Sequence, residues 1–177
     1  PKAAFSAILF GLVGGYPTGA LLSEELFEAG EIDSNQAKRL MCFNFCGGCG
    51  FIITAVGTVT FNSTRLGVML FLSNALSSIL IGFILSFKEK RLEKSEYSLF
   101  SFTSLGDALT LATPKAAQSV IVITAYIVLF SALSSTVKIP EPLLPIIEIT
   151  NGVCNGDFSL PLTAAFLSFG GICIHLQ

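Results

Sequence analysis

Residues 3–22 read AAFSAILFGLVGGYPTGALL, an apolar run that Gly14, Gly15 and Pro17 break near its middle. The part before the break, residues 3–13, is shorter than the roughly 20 apolar residues that a helix needs to cross a bilayer. Non-helical backbone at membrane depth is tolerated only where protein or a water-filled cavity satisfies its polar groups. We therefore predict a re-entrant hairpin over residues 1–22, with residues 14–19 at its tip and a polar site beside it.

The composition of the whole chain is typical of a membrane protein. Of its 177 residues, 52% are hydrophobic and 12% are charged, whereas soluble domains carry about 25% charged residues. The mean hydropathy is +0.75. We predict an all-α polytopic membrane protein in which residues 1–177 form a single membrane domain. Because the chain begins without methionine and ends inside an apolar run, we expect it to be an excerpt of a longer protein.

Three further segments are long enough to span a bilayer as helices. Leu66–Phe87 and Ala116–Val137 are uninterrupted, whereas Leu40–Phe61 contains a glycine cluster and predicts an interrupted helix. Serines 131, 134 and 135 lie on one face of the last span, and we interpret them as helix-packing residues. Four basic residues between positions 88 and 94 place the loop after Leu66–Phe87 in the cytoplasm by the positive-inside rule. Residues 102–115 predict a helix lying on the membrane surface.

Residues 23–40 are the one strongly charged stretch, and they predict a short cytoplasmic helical hairpin. Gly30 is placed to end its first helix. Asp33 is placed to cap the second, with Gln36 three residues later as in a capping box. The acidic residues of this stretch are interpreted as a solvated surface rather than a metal site.

Two later breaks resemble the first. Phe10–Gly15 and Phe166–Gly171 share the pattern Phe-x-x-x-Gly-Gly, and interrupted segments in corresponding positions of two halves are typical of transporters with inverted repeats. A match of six residues is also short enough to be a coincidence. His175, close behind the last break, is interpreted as a packing residue.

Glu148 is the strongest single candidate for a functional residue, because it follows the apolar residues LLPII. A carboxylate in the middle of a membrane costs about 2.5–3.5 kcal/mol on insertion scales, so it is a functional candidate by default. It can bind a cation or a proton, or accept hydrogen bonds from a polar ligand. The alternative is that Glu148, close to Pro145 and an outer loop, lies among the lipid headgroups.

Other classes of function have little support in the sequence. Cys42, Cys46 and Cys49 have a spacing that can ligate an iron–sulfur cluster, but in a glycine-rich apolar segment we interpret them as small packing residues. No cofactor and no protein metal site are predicted. The net charge is -2 and the sequence has no long basic tract, so we do not predict binding to nucleic acid. The sequence lacks an H-E-x-x-H motif and a nucleophile elbow, so we do not predict an enzyme.

Four motifs together resemble the YlbJ-type sporulation integral membrane proteins of the nucleoside-recognition (Gate) superfamily. They are GGYPTGALLSEELFEAGEIDSNQAKRLMCF, FIITAVG, EITNGV and SFGGICIHLQ. That superfamily includes the membrane gate of ferrous-iron transporters and is similar to concentrative nucleoside transporters. The resemblance implies a multi-pass protein of the bacterial cell membrane, in spore formers the outer forespore membrane, that moves small solutes such as dipicolinate. In one departure, many members have Asn-x-Gly-Pro where this chain has Cys46-Gly47-Gly48-Cys49.

The leading hypothesis is a secondary carrier for a small polar or anionic solute, dipicolinate-like or nucleoside-like, coupled to H⁺ or Na⁺. Its expected partners are the lipid bilayer and the solute, and an oligomer is compatible with the sequence. The alternative is a non-transporting membrane scaffold protein of sporulation that recruits partners through residues 23–40, although a scaffold gains nothing from helix breaks. The predicted binding residues are Gly14, Gly15, Tyr16, Pro17, Thr18, Asn44, Gly47, Gly48, Glu148, Thr150, Asn151, Gly152, Ser168, Gly170, Gly171 and Gln177.

Overall fold

All regular secondary structure in the described residues is helical, which confirms the all-α prediction for that part of the chain. The computed structural model describes residues 2–16, 18–86, 104–137 and 139–176. In chain order the helices are α1 (Lys2–Gly14), α2 (Thr18–Glu28), α3 (Ser34–Phe43), a π-helix (Gly50–Thr60), α4 (Thr64–Ser86), α5 (Leu105–Val137), a 3₁₀ turn (Glu141–Leu143), α6 (Leu144–Ile147), α7 (Ile149–Asn155), α8 (Leu160–Phe169) and α9 (Ile172–His175).

Two of these helices, α4 and α5, are long and apolar enough to cross a membrane. Large apolar side chains along them are exposed, among them Leu72 and Phe83 on α4 and Ile121 and Val128 on α5. Contiguous exposed apolar surface of this kind is typical of a face that meets lipid or another protein. The helix predicted over Leu66–Phe87 is therefore present as α4 as far as Ser86, and the rest of that segment lies outside the described residues.

The start of α5 differs from the prediction. A separate surface helix was expected over residues 102–115, but from residue 105 this segment is the beginning of one continuous helix that includes Pro114. Alanine and leucine on both sides of Pro114 are strong helix formers, and membrane helices tolerate proline. Lys115 also forms an ion pair of 2.6 Å with Glu25, which joins α5 to α2.

The predicted break at the first glycine pair is present. Helix α1 ends at Gly14, and Gly15 has a φ of 76°, a conformation that favours glycine. Its backbone N–H donates to the carbonyl of Gly11 at 2.8 Å. Helix α2 then packs against α1, so the two form a helical hairpin.

The charged hairpin predicted over residues 23–40 is partly different. Its first helix is not a separate element, because α2 runs continuously from Thr18 to Glu28. The return limb of the apolar hairpin and the first charged helix are thus one helix. Gly30, with a φ of 71°, follows its end as predicted. The predicted capping box is also confirmed: Gln36 N–H donates to Asp33 at 2.8 Å and Asp33 N–H donates to Gln36 at 3.1 Å.

The interruption predicted within Leu40–Phe61 is confirmed, since residues 45–48 are not helical. The helix after them is a π-helix: Phe61 N–H donates to the carbonyl of Val56, five residues earlier, at 3.0 Å. Long π-helices are rare, and shorter ones often lie at functional sites. A Cβ added to Gly57 would lie 2.3 Å from Gly67 Cα. The π-helix and α4 therefore touch backbone to backbone, as small residues allow in membrane helices.

The main buried core connects the π-helix to the C-terminal helices. It consists of Ile52, Val56, Leu70, Ile149, Val153, Leu167 and Ile174. A second cluster, Ala4, Ile32, Ala37 and Leu40, holds α3 against α1. The short helices α7–α9 are thereby fixed against the interrupted segment, and this arrangement positions the candidate site.

Asp33→Ala should destabilise the protein by about 0.5–2 kcal/mol, because it removes the acceptor that caps α3. Thermal unfolding of the purified protein in detergent would measure this as a lower midpoint. Asp33→Asn is the matched control, because asparagine caps helices as well as aspartate does. Equal midpoints for the two variants would contradict the role of the cap.

Candidate functional site

The first two helix breaks meet backbone to backbone. A Cβ added to Gly15 would lie 2.0 Å from the Gly48 nitrogen, and one added to Gly48 would lie 2.7 Å from the Gly14 carbonyl oxygen. Real Cβ atoms do not approach so closely, so both positions require glycine here. The structure thus brings three predicted residues from two separate segments into contact.

The third break joins the same place. Tyr16 donates its hydroxyl hydrogen bond to the carbonyl of Leu167 on α8. Its ring lies 5.2 Å from the ring of Phe45 at an angle of 60°. A Cβ on Gly170 would lie 3.0 Å from Phe45 and 3.1 Å from Tyr16. We call Gly15, Tyr16, Phe45, Gly48 and Gly170 the glycine junction.

His175 extends the aromatic part of the junction. Its ring stacks on that of Phe45, with centroids 4.7 Å apart and planes 19° apart. Its Nε2 lies 3.0 Å from the carbonyl oxygen of Phe169. These ring contacts agree with the packing role predicted for His175, although the residue is exposed. Phe45 and Leu167 were missed, because nothing in the sequence distinguishes them from other apolar residues.

Asn44 holds the helical hairpin together. Its side-chain amide donates to the carbonyl of Ala7 at 2.8 Å and to that of Gly19 at 3.4 Å, and only 2% of the residue is exposed. A Cβ on Gly11 would lie 2.3 Å from the Asn44 Oδ1, which explains the glycine there. In this arrangement the amide predicted to contact solute cross-links α1 and α2.

Glu148 lies at the interruption between α6 and α7 and is only 2% exposed. Its backbone is extended, and its carboxylate accepts hydrogen bonds from the backbone N–H groups of Thr150 at 2.8 Å and Asn151 at 2.7 Å. The carboxylate therefore caps α7. A Cβ on Gly152 would lie 2.4 Å from the Pro145 nitrogen, so α7 folds back closely onto α6.

A cavity of about 330 Å³ lies beside Glu148, between α5 and α7. We call it the Glu148 cavity; its lining residues are Ser131, Ser134, Ser135, Ile139, Leu144, Glu148, Asn151, Gly152 and Asn155. Asn151 Nδ2 donates across it to Ser131 Oγ at 3.0 Å. The interpretation of the α5 serines as packing residues was therefore incomplete, since three of them line a polar cavity.

Ser134 stands out among the lining residues. It is 8% exposed, and its Oγ has no hydrogen-bond partner among the described residues. Leaving a buried hydroxyl unsatisfied costs about 1–3 kcal/mol. A buried polar group without a partner in a native protein needs an explanation. A ligand bound in the cavity would provide one.

Of the remaining predicted residues that the structure describes, all but one lie at or near these two places. Gly47 and Thr18 flank the junction, where a Cβ on Gly47 would lie 3.5 Å from Tyr16. Gly171 borders α7, because its Cβ would lie 3.2 Å from the Ile149 nitrogen. Ser168 is exposed and donates to the carbonyl of Ala164 on its own helix, apart from both places. Pro17 and Gln177 lie outside the described residues.

Comparison of the chain with family models, with curated proteins and with solved structures finds no match. Function therefore has to be argued from the site itself. Within residues 2–16, 18–86, 104–137 and 139–176, no group of three or more His, Cys, Asp or Glu side chains is arranged to hold a metal ion. The chemistry that the described site offers consists of one buried carboxylate, hydroxyl and amide groups, and closely packed backbone.

Gly15→Ala should lower the unfolding midpoint strongly. The left-handed backbone alone costs a non-glycine residue about 1–3 kcal/mol, and the added methyl group would overlap the Gly48 backbone. The matched control is Gly50→Ala, because a Cβ there meets nothing within 4 Å. If thermal unfolding in detergent gave the same midpoint for both variants, the contact between the first two breaks would be refuted.

Proposed function

We propose that the chain is the core of a polytopic membrane carrier for a small polar or anionic solute, such as dipicolinate or a nucleoside. The observation that carries this proposal is the burial of Glu148 beside a polar cavity, next to a long apolar helix. The resemblance to the Gate superfamily is in line with it. The proposed location is the bacterial cell membrane, in a sporulating cell the outer forespore membrane.

The energetics of Glu148 favour a binding role. An ionised side chain inside a membrane protein is expensive, and packing alone does not need it. The cavity volume of about 330 Å³ falls at the lower end of the roughly 300–1,000 Å³ usual for small-molecule sites. A scaffold needs neither a buried carboxylate nor a cavity, so the carrier is the better explanation.

The glycine junction is suited to the moving part of such a carrier. Asn44 bonds to both α1 and α2, so the re-entrant hairpin would move together with the end of α3. Its contacts with α8 and α9 include the hydrogen bond from Tyr16 to Leu167 and the stacking of His175 on Phe45. Alternating access would then open this interface and close it again.

Glu148→Gln should reduce solute flux about 10- to 100-fold, because it removes the charged group that binds the coupling ion or a polar edge of the solute, and hydrogen bonds to a charged group contribute about 1.5–3 kcal/mol. The measurement is initial uptake of dipicolinate and of nucleosides by proteoliposomes that contain the full-length protein. Glu141→Gln is the matched control, because Glu141 is an exposed glutamate in the preceding 3₁₀ turn.

Uptake of neither solute class by the unmodified protein would argue against the carrier. Equal uptake by the Glu148→Gln and Glu141→Gln variants would be compatible with a carrier but would contradict the role proposed for Glu148. Unfolding midpoints measured on the same samples separate a loss of transport from a loss of fold.

A further inference from the structure

The Glu148 cavity contains a negative charge that its described lining residues do not balance. Glu148 is the one charged residue among those that line the cavity, and none of them is basic. Each carboxylate oxygen accepts one backbone N–H, from Thr150 and from Asn151. An ionised carboxylate has about four acceptor positions, so acceptor capacity remains for a ligand.

Ser134 gives a second, independent indication of a ligand. Ser134 lines the cavity, and its hydroxyl is buried and has no partner among the described residues. Ser131 lies on the same helix, α5. Its hydroxyl oxygen accepts a hydrogen bond from Asn151 Nδ2, which holds the Ser131 side chain in place. Hydroxyl, amide and carboxylate oxygens are the ligands that hard cations prefer.

The charge of the cavity selects among ligands. An anionic solute would be repelled by Glu148. Divalent cations are usually held by more than one acidic group, whereas Glu148 is the one carboxylate among the described residues that line this cavity. A single positive charge would balance the single carboxylate. Since a water molecule takes up about 30 Å³, a cavity of about 330 Å³ also has room for waters around an ion.

We therefore propose that the Glu148 cavity binds one partly hydrated monovalent metal cation, with the Glu148 carboxylate and the Ser131 and Ser134 hydroxyls as ligands. In calling this cation the coupling ion, the inference rests on the proposed carrier function. An anionic solute would then bind outside this cavity.

The test is cation-dependent thermal stability of the full-length protein in detergent. Sodium, potassium and choline chlorides are compared at equal ionic strength. A ligand that binds only the folded state raises the unfolding midpoint increasingly with its concentration, so we expect a rise with sodium or potassium relative to choline.

Ser134→Ala should weaken the apparent cation affinity about tenfold or more, by loss of one ligand. Its midpoint in choline should not fall, because the hydroxyl has no partner to lose among the described residues and its unsatisfied burial is relieved. Ser119→Ala is the matched control, because this exposed serine on α5 lies outside the cavity and bonds to its own helix. Glu148→Gln should abolish the cation-dependent shift.

The same midpoints in all three salts would overturn the proposal, as would a sodium shift that Ser134→Ala and Glu148→Gln both leave intact. The two proposals fail separately. A cation-dependent unfolding midpoint without solute flux would support the cation site and contradict the carrier. Solute flux without a cation-dependent midpoint would support the carrier and contradict the cation site.

Discussion

Backbone that leaves helical geometry in apolar surroundings must satisfy its polar groups within the protein. In this chain the breaks meet this constraint by packing against one another. The Gly15 and Gly48 backbones touch, Asn44 donates to two carbonyls of the hairpin, and Tyr16 donates to Leu167. Glycine is required wherever two backbones touch, so the positions of the breaks determine how the helices assemble.

Features determined by neighbouring residues could be predicted from the sequence. Asp33 and Gln36 are three residues apart, and their capping box forms as expected. The length and apolar character of α4 follow from composition alone. The breaks at Gly15, residues 45–48 and Gly170 were found because glycine and proline act on their own part of the chain. The continuous course of two helices was not predicted. The sequence suggested that α2 and α5 would each be two separate elements, but each is one helix.

Contacts between distant residues could not be predicted. Tyr16 and Leu167 are 151 positions apart, and no local pattern indicates that they meet. The Glu148 cavity was missed for the same reason: the serines of α5 form a small polar stripe that usually means helix packing. Only the position of α7 beside that stripe turns it into the wall of a cavity. Sequence reasoning thus found the carboxylate but not its surroundings.

The cavity and the junction are physically connected through α7. Glu148 caps this helix, and Asn151, one turn later, bonds to Ser131 on α5. On its other side α7 borders the third break, where a Cβ on Gly171 would lie 3.2 Å from the Ile149 nitrogen. Because the interior is close-packed, a ligand that shifts α7 against α5 must also shift Gly171 and, next to it, the junction residue Gly170. In the proposed carrier, a bound cation would thereby bias the interface that has to open.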